Sequence, residues 1–387
     1  MDDFKPATDT IMTEDAVYMD YNAGAPIRED ARAALTAALG VGNASSVHAF
    51  GRAARRIVED ARGDVAALVG GDPEGVIFTS GATEANNLAL KGSGCRRVLV
   101  SAIEHPSVLE VDGDCERIAV DGEGVVDLNI LARMLDDDDT PAMVCVMAAN
   151  NETGVLQPLR EIARLAHDAG ALVHCDAVQA VGKVALDMAE LGVDTMSLSA
   201  HKIGGPQGAG ALLLAAGGRI DAEIRGGAQE KGFRAGTENV AAIAGFGAAA
   251  RAVRFDAREM ARVKALRDDL ERRVRAICSD VRIFSAAAER LANTSCLTMP
   301  DVVAQTQVMA FDLAGIALSA GAACASGKVR PSHVLGAMGA SSRDASCALR
   351  VSLGYGSTAR DIDRFIDAWG VLYTRMHNTA ATANPAA

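Results

Sequence analysis

The chain is short of aromatic residues and of positive charge. Aromatic side chains make up 4% of its 387 residues, with a single tryptophan, so small aliphatic residues must supply most of the core. Lys and Arg number 38 against 50 Asp and Glu, which gives a formal charge of -12. Since proteins that bind nucleic acids favour a basic face, this balance argues against a nucleic acid as the main partner.

Closely spaced cysteines are also absent. The nearest pair among the eight cysteines is Cys278 and Cys296, so CxxC metal or redox pairs are excluded. In a large chain without a secretory signal, this usage indicates reduced thiols. Most of the cysteines lie in apolar, strand-like runs such as AMVCVMAA and ALVHCDA, where we expect core thiols.

Long apolar runs are missing as well. No window approaches the roughly 18 uninterrupted apolar residues that indicate a transmembrane helix. The N-terminus, MDDFKPATDTIMTEDAV, is acidic where a secretory signal would be basic and then apolar. These patterns predict a cytoplasmic protein with no membrane partner.

Short apolar runs alternate with amphipathic helical stretches, which predicts an α/β fold with helices on both faces of a sheet. A chain of this length is expected to form two domains, a large one over residues 15–256 and a small one from residues 1–14 and 257–387. The stretch from Asn239 to Ile277 is predicted to be helical, with a solvated, charged face after Arg251, and to lead into the small domain. The candidate strands are Val76–Ser80, Arg97–Ser101, Ala142–Ala148, Ala171–Asp176, Thr195–Ser199 and Gly210–Leu214.

The segment TSGATEANNLALKG, residues 79–92, follows one of these strands. A turn of small residues before a helix leaves backbone N–H groups free and directs the positive end of the helix dipole toward an anion. Gly81, Ala82 and Thr83 would then bind a phosphate. On this segment alone, a simple helix cap by Thr83 is the better interpretation.

The segment HCDAVQAVGK ends an apolar run with an acid, Asp176. A buried carboxylate is costly unless a cation or several hydrogen bonds stabilise it, and a protonated pyridine nitrogen would be a suitable cation. A helix N-cap role for Asp176 is equally favoured by these residues alone.

The segment SLSAHKIGGPQGAG places Lys202 between a strand-like run and a Gly-rich turn. A lysine in such a crevice is partly desolvated, which lowers its pKa and lets the amine react with an aldehyde. Ser199 and His201 flank it with further phosphate donors. A phosphate site, an acid for a pyridine nitrogen and a lysine for an aldehyde are together what pyridoxal phosphate requires.

At these residues the sequence resembles the cysteine desulfurases, NifS/IscS-like enzymes of the class V aminotransferase family. The resemblance extends from VYMDYNAGAP to about residue 372 and includes NASSVHAFGRAAR, EHPSVLE, ANNETGVLQP, FRAGTENV, SAGAACASGKVRPSHVL and LRVSLG. It implies a fold-type I pyridoxal-phosphate transferase, with a mostly parallel sheet in the large cofactor-binding domain and a smaller α+β C-terminal domain. The segment around Cys324 resembles the long-loop type.

The resemblance also implies a role for each site residue. Lys202 binds the cofactor aldehyde, Asp176 keeps the pyridine nitrogen protonated, and Gln179 bonds the ring hydroxyl. His105 stacks on the ring and assists proton transfers. The other implied contacts are Ala82, Thr83, Ser199 and His201 to the phosphate, Thr237 from a second subunit to the same phosphate, and Asn151 with Arg350 to the substrate carboxylate. Arg350 would otherwise be an ordinary ion pair at the edge of the core.

For Cys324, the resemblance implies a nucleophile that takes sulfur from L-cysteine, leaves L-alanine and passes a persulfide to a sulfur acceptor or iron–sulfur scaffold protein. It implies a homodimer with no resident metal, in which Cys324 alone would contact a transferred cluster. Glycines and small residues around Cys324 suit a segment that must visit two places.

Three alternatives stay open from sequence. A class V aminotransferase or lyase would keep Lys202, Asp176 and His105 but would not depend on Cys324. A non-catalytic partner protein on the same scaffold would be colourless when purified. The third alternative is an enzyme that prefers selenocysteine to cysteine as its substrate.

Overall fold

The computed structural model describes residues 16–111, 113–138, 140–253, 255–321 and 332–382. Cys324 and residues 1–14, which the sequence analysis assigns to the small domain, lie outside the described residues. The described strands are β1 Val17–Tyr18, β2 Val76–Thr79, β3 Arg97–Ser101, β4 Glu116–Ile118, β5 Ala142–Cys145, β6 Leu172–Asp176, β7 Thr195–Ser199, β8 Gly210–Leu214, β9 Thr294–Thr298, β10 Ile316–Ala317, β11 Ser319–Ala320 and β12 Ala348–Ser352.

Helices separate most of these strands, as the sequence predicts. They are α1 Glu29–Ala38, α2 Ala49–Leu68, α3 Ala82–Gly92, α4 Pro106–Leu109, α5 Leu128–Asp136, α6 Leu159–Asp168, α7 Met188–Leu191, α8 Val240–Ala252, α9 Ala257–Ile277, α10 Ala304–Leu313, α11 His333–Ala337, α12 Ser342–Cys347 and α13 Ala359–Thr382. None of the helices described is both long enough and apolar enough to cross a membrane.

Seven strands form one sheet in the order β2-β8-β7-β6-β5-β3-β4. The pairs from β4 across to β7 are parallel, and β8 runs antiparallel to both of its neighbours. Strands β2, β5, β7 and β8 are buried along their whole length, as expected of a sheet covered on both faces. The predicted mostly parallel α/β sheet is confirmed.

The predicted helix from Asn239 to Ile277 is wrong in one respect. The structure has two helices, α8 and α9, and the second begins after Asp256, whose carboxylate accepts hydrogen bonds from the N–H groups of Arg258 and Glu259. This N-cap starts a new helix. Most charged residues of α9 are exposed or partly exposed, as predicted, but Arg267 and Glu271 are buried, and Val263, Leu270 and Val274 form its buried face.

A second core lies under the three-stranded sheet β11-β12-β9. Helices α9, α10 and α13 cover it, with Trp369 and Phe365 of α13 fully buried and Phe365 stacked on Phe311 at 5.0 Å between ring centroids. Strand β1 pairs with β10, and Asp20 bridges to Ser352. The N-terminal segment therefore joins this C-terminal core, and the predicted division after residue 256 stays a prediction.

The expectation of core cysteines is confirmed for most of the thiols that the structure describes. Cys145, Cys175 and Cys296 are buried in strands, and Cys278 and Cys347 are buried at helix ends. Cys95 and Cys115 are partly exposed. None of these seven forms a disulfide within the described part of the chain.

A buried ion pair attaches α2 to the sheet edge. Arg62 donates to both carboxylate oxygens of Glu230, at 2.8 and 3.0 Å, and to the carbonyl of Val76 at 2.8 Å. Glu230 also accepts the N–H of Phe78 at 2.8 Å. Without Glu230, the buried Arg62 guanidinium would be left with Glu59, 3.1 Å from its Nε, whose side chain is 47% exposed and compensates a buried charge less well.

We therefore expect Glu230→Gln to lower the free energy of unfolding by about 3 kcal/mol in urea denaturation. Glu74→Gln is the control, since Glu74 pairs with Lys231 at 2.8 Å but its side chain is 80% exposed, and it should cost less than about 1 kcal/mol. Equal destabilisation by the two substitutions would contradict a structural role for the buried pair.

Candidate active site

A cavity of about 930 Å³ opens at the carboxyl ends of the parallel strands, between the seven-stranded sheet and the C-terminal core. Ligands bind at this edge in doubly wound sheets. The predicted residues that line it are Ala82, Thr83, His105, Asn151, Asp176, Gln179, Ser199, His201, Lys202 and Arg350. Thr237 is exposed and is not part of this lining.

The predicted phosphate turn lies between β2 and α3. Helix α3 begins at Ala82 with Gly81 as its N-cap, and no side chain caps it, so the alternative of a Thr83 cap is wrong. The first N–H groups of a helix have no partner within it and attract anions. A Cβ on Gly210, the first residue of β8, would lie 2.6 Å from backbone atoms of Gly81. Position 210 must therefore be glycine for β8 to pass so close to the turn.

Asp176 lies buried at the end of β6. One carboxylate oxygen accepts the N–H of Val178 at 3.0 Å and the other accepts Asn86 Nδ2 at 2.9 Å, so Asp176 does not cap a helix. No lysine, arginine or histidine among the described residues bonds this carboxylate. A buried carboxylate with neutral donors on one side and a cavity on the other fits a protonated pyridine nitrogen.

Lys202 ends the short turn Ala200–Lys202 that follows β7. Its Nζ donates to the carbonyls of Asn22 at 2.6 Å and Ala23 at 3.0 Å. Burial, followed by the charge of Arg350, lowers the pKa of Lys202 to about 8. The amine is therefore partly neutral near physiological pH, as a group that reacts with an aldehyde must be.

His105 is the N-cap of α4, and its Nδ1 accepts the N–H of Ser107 at 3.1 Å. Burial lowers the pKa of His105, while the charge of Asp176 opposes that shift. His201 is also neutral, because burial lowers its pKa to about 4. A Cβ on Gly24 would lie 3.4 Å from His201 Nδ1, so glycine at this position leaves room beside the imidazole.

Arg350 reaches the cavity from β12 and already holds protein partners. One Nη donates to Asp20 Oδ1 at 2.8 Å and the other to the carbonyl of Asn151 at 3.1 Å. Its Nε is buried and has no partner among the described residues. Arg350 therefore forms an ion pair, as expected if it has only a structural role at the edge of the core. The binding of a substrate carboxylate by Arg350 and Asn151 stays a prediction.

Sequence reasoning missed Asn22, which holds the base of the cavity together. Its carbonyl accepts from Lys202 and from Gln179 Nε2, and its side-chain oxygen accepts from Lys183 Nζ at 3.0 Å and from Asn293. Lys183 donates to Gln179 Oε1 at 3.0 Å as well. The signal for Asn22 in the sequence was its place in the motif YNAGAP. The hydrogen bonds of Asn22 nevertheless join positions far apart in sequence, which no local pattern predicts.

Sequence reasoning also missed a second acid beside the cavity. Glu152 is buried, and burial raises the pKa of its carboxyl to about 7. Its Oε2 accepts from Ser332 Oγ at 2.6 Å. The described part of the chain holds no cluster of three or more His, Cys, Asp or Glu arranged to bind a metal ion.

Known proteins with similar sequence and structure match nearly the whole chain. The family model described as Aminotransferase class-V matches residues 17–365. A cysteine desulfurase of Cereibacter sphaeroides is 41% identical and the alignment covers 91% of this chain and 94% of that protein. The cysteine desulfurase NifS of Azotobacter vinelandii is 38% identical over 94% of each chain. The solved NifS-like protein from Rickettsia africae has a TM-score of 0.87 at 35% identity and covers 92% of this chain and 99% of its own.

The amine of Lys202 should react with an aldehyde at lower pH than an ordinary lysine. When pyridoxal phosphate is mixed with the cofactor-free protein, we expect the rate at which the imine absorbance appears to be half-maximal near pH 8, because only the neutral amine attacks. Arg350→Gln should move this midpoint upward, since Arg350 contributes to the lowered pKa. Lys202→Ala should give no signal. A parent midpoint near pH 10.5 would refute the lowered pKa.

Proposed function

Because the chain belongs to the class-V aminotransferase family and is related along nearly its whole length to cysteine desulfurases, we propose that it removes sulfur from L-cysteine and releases L-alanine. It is a pyridoxal-phosphate enzyme of fold type I. One observation carries the proposal: the Lys202 amine, with its lowered pKa, and the buried Asp176 carboxylate line the same cavity.

Pyridoxal phosphate, when bound, supplies an aldehyde that captures the substrate amine and a ring that takes up the electrons left at Cα. The residues that would hold it line the cavity. Asp176 would stabilise the proton on the pyridine nitrogen, and Gln179 would donate toward the ring hydroxyl. The phosphate contacts are the N–H groups at Ala82 and Thr83, with Ser199 and His201.

Lys202 would bind the cofactor at rest and then act as the base. Its Nζ would take the proton from the substrate Cα, and the pKa of about 8 places that amine in a range where it can both accept and return a proton. His105, whose pKa is lowered by burial, would assist these proton transfers from the cavity wall. Arg350 and Asn151 fix the substrate carboxylate, and Arg350 Nε is the donor still without a partner in the described residues.

Cys324 is assigned the sulfur transfer. Its thiolate forms a bond to the substrate sulfur while the Cβ–S bond breaks, and the electron pair of that bond stays with the carbon. Protonation of the carbon gives L-alanine, and the sulfur remains on Cys324 as a persulfide. A sulfur-acceptor or iron–sulfur scaffold protein would then take it. This assignment rests on the family resemblance, since Cys324 lies outside the described residues.

Two further assignments complete the proposal. The protein would act as a homodimer, because Thr237 is exposed away from its own cavity and would contact the phosphate in a second subunit. It would work in the cytoplasm, where thiols stay reduced.

Cys324→Ala should abolish desulfuration. We expect sulfide and alanine production from L-cysteine, assayed with a reductant, to fall by on the order of 10³-fold or more while the visible absorbance of the bound cofactor is kept. Cys95→Ala, which alters a half-buried thiol outside the cavity lining, should keep the parent activity. A yellow Cys324→Ala protein with full activity would instead favour an aminotransferase or lyase that needs no thiol.

Thr237→Ala should weaken pyridoxal phosphate binding about tenfold, because a hydrogen bond to a charged phosphate is lost. Mixing this variant with Lys202→Ala tests the second subunit. In a mixed dimer, the site with an intact Lys202 receives an intact Thr237 from its partner, so cofactor affinity at that site should recover, as measured by fluorescence titration. Recovery should be absent if Thr237 serves its own subunit.

A further inference from the structure

Asn86 is a buried amide on α3 in which every hydrogen-bonding group is used. Its Nδ2 donates to Asp176 Oδ2 at 2.9 Å and to Ser107 Oγ at 2.8 Å. Its Oδ1 lies 3.0 Å from His174 Nε2. A side-chain amide is the one neutral group that offers two donors and an acceptor in one plane.

The partners decide which way this amide faces. The Asp176 carboxylate already accepts the N–H of Val178 on its other oxygen, and a carboxylate can only accept. Asn86 must therefore turn its NH₂ group toward Asp176 and its oxygen toward His174. The opposite orientation would place two acceptors against each other.

This orientation in turn fixes the proton on His174. Since Asn86 Oδ1 accepts, the proton of the imidazole must be on Nε2, and Nδ1 must accept from Thr195 Oγ1 at 2.8 Å. His174 is fully buried on β6, two residues before Asp176, and burial lowers its pKa to about 3. The ring is thus a neutral, permanently oriented donor at neutral pH.

The second Nδ2 hydrogen bonds a further residue of the cavity lining. It bonds Ser107 Oγ, which lies 2.8 Å from His105 Nδ1. Asn86 therefore contacts Asp176, the predicted partner of the ring nitrogen, directly, and His105, the predicted stacking residue, through one hydroxyl.

We propose that Asn86 is a positioning residue for the pyridine ring: held in one orientation by His174, it fixes the Asp176 carboxylate in the orientation that would meet the ring nitrogen. The inference rests on the proposed pyridoxal-phosphate function and assigns a task to two buried residues that the mechanism above does not use. Neither touches the substrate, so their effect is transmitted through Asp176.

The isosteric change Asn86→Asp is the sharpest variant. It keeps an acceptor for His174 but puts a second carboxylate within hydrogen-bond distance of Asp176, and two such acids cannot both ionise. One proton shared by the two acids removes the full charge opposite the ring nitrogen. We expect kcat/KM with L-cysteine to fall by more than about 100-fold and the pH titration of the cofactor absorbance to shift.

Asn86→Ala removes the donor without adding charge, and its expected loss is about 10- to 100-fold in kcat/KM. Asn87→Ala is the matched control, because Asn87 is the next residue on the helix and its Nδ2 donates to the carbonyl of Thr83 rather than to a residue of the Asp176 network in the described structure. The control should keep the parent absorbance titration and stay within about twofold in kcat/KM. Asn86 variants that behave like the control would overturn the proposal.

If the variants do not fold, a measurement on the unaltered holoenzyme tests the same hydrogen bonds between His174, Asn86 and Asp176. The ¹⁵N spectrum of His174 should show a neutral ring with its proton on Nε2 from pH 5 to 9, whereas a proton on Nδ1 would overturn the proposal. Assignment uses His174→Gln. A parent protein that binds no pyridoxal phosphate would refute the proposed function, while the His174 spectrum would still decide the orientation of Asn86.

Discussion

The Asp176 carboxylate is the constraint on which the arrangement of the cavity depends. It is buried at the end of a central strand, and its hydrogen-bond donors in the described structure are neutral. A charge in such a place is stable only if donors are fixed around it and a cation completes the set. The sheet provides the position, α3 provides Asn86, and the open side faces Lys202 and His105 across the cavity.

Electrostatics around this acid divide the site into charged and neutral groups. Burial keeps His105, His201 and His174 neutral near pH 7, because it lowers the pKa of each imidazole. Lys202 is intermediate, with a pKa near 8. The guanidinium of Arg350 forms an ion pair with Asp20. The cavity therefore offers one fixed cation for an acidic substrate group and one adjustable amine for proton transfer.

The sequence predicted what depends on local pattern and missed what depends on distant contacts. The strands that end at Asp176 and Ser199 follow from apolar runs, and so does the placement of Lys202 beside them. The family resemblance supplied His105, Gln179 and Arg350. The bonds that orient these groups join residues such as Asn22 and Lys183, which are 161 positions apart, and no periodicity reports such a contact. The helix break before Ala257 was missed because Asp256, the N-cap of α9, is one of many charged residues in this stretch and does not stand out as a cap.

The hydrogen bonds of Asn22 also determine at which stage of translation the base of the cavity can form. Asn22 is made early, but its backbone N–H bonds Ser352 Oγ, 330 residues later, and its side chain bonds Thr294 and Asn293. The same residue accepts the Lys202 amine. A nascent chain that still has β12 inside the ribosome can form the seven-stranded sheet but not the base of the cavity. Lys202 thus gains its fixed environment only after β12 has emerged, about 150 residues after Lys202 itself, so its reactive amine matures later than the sheet that carries it.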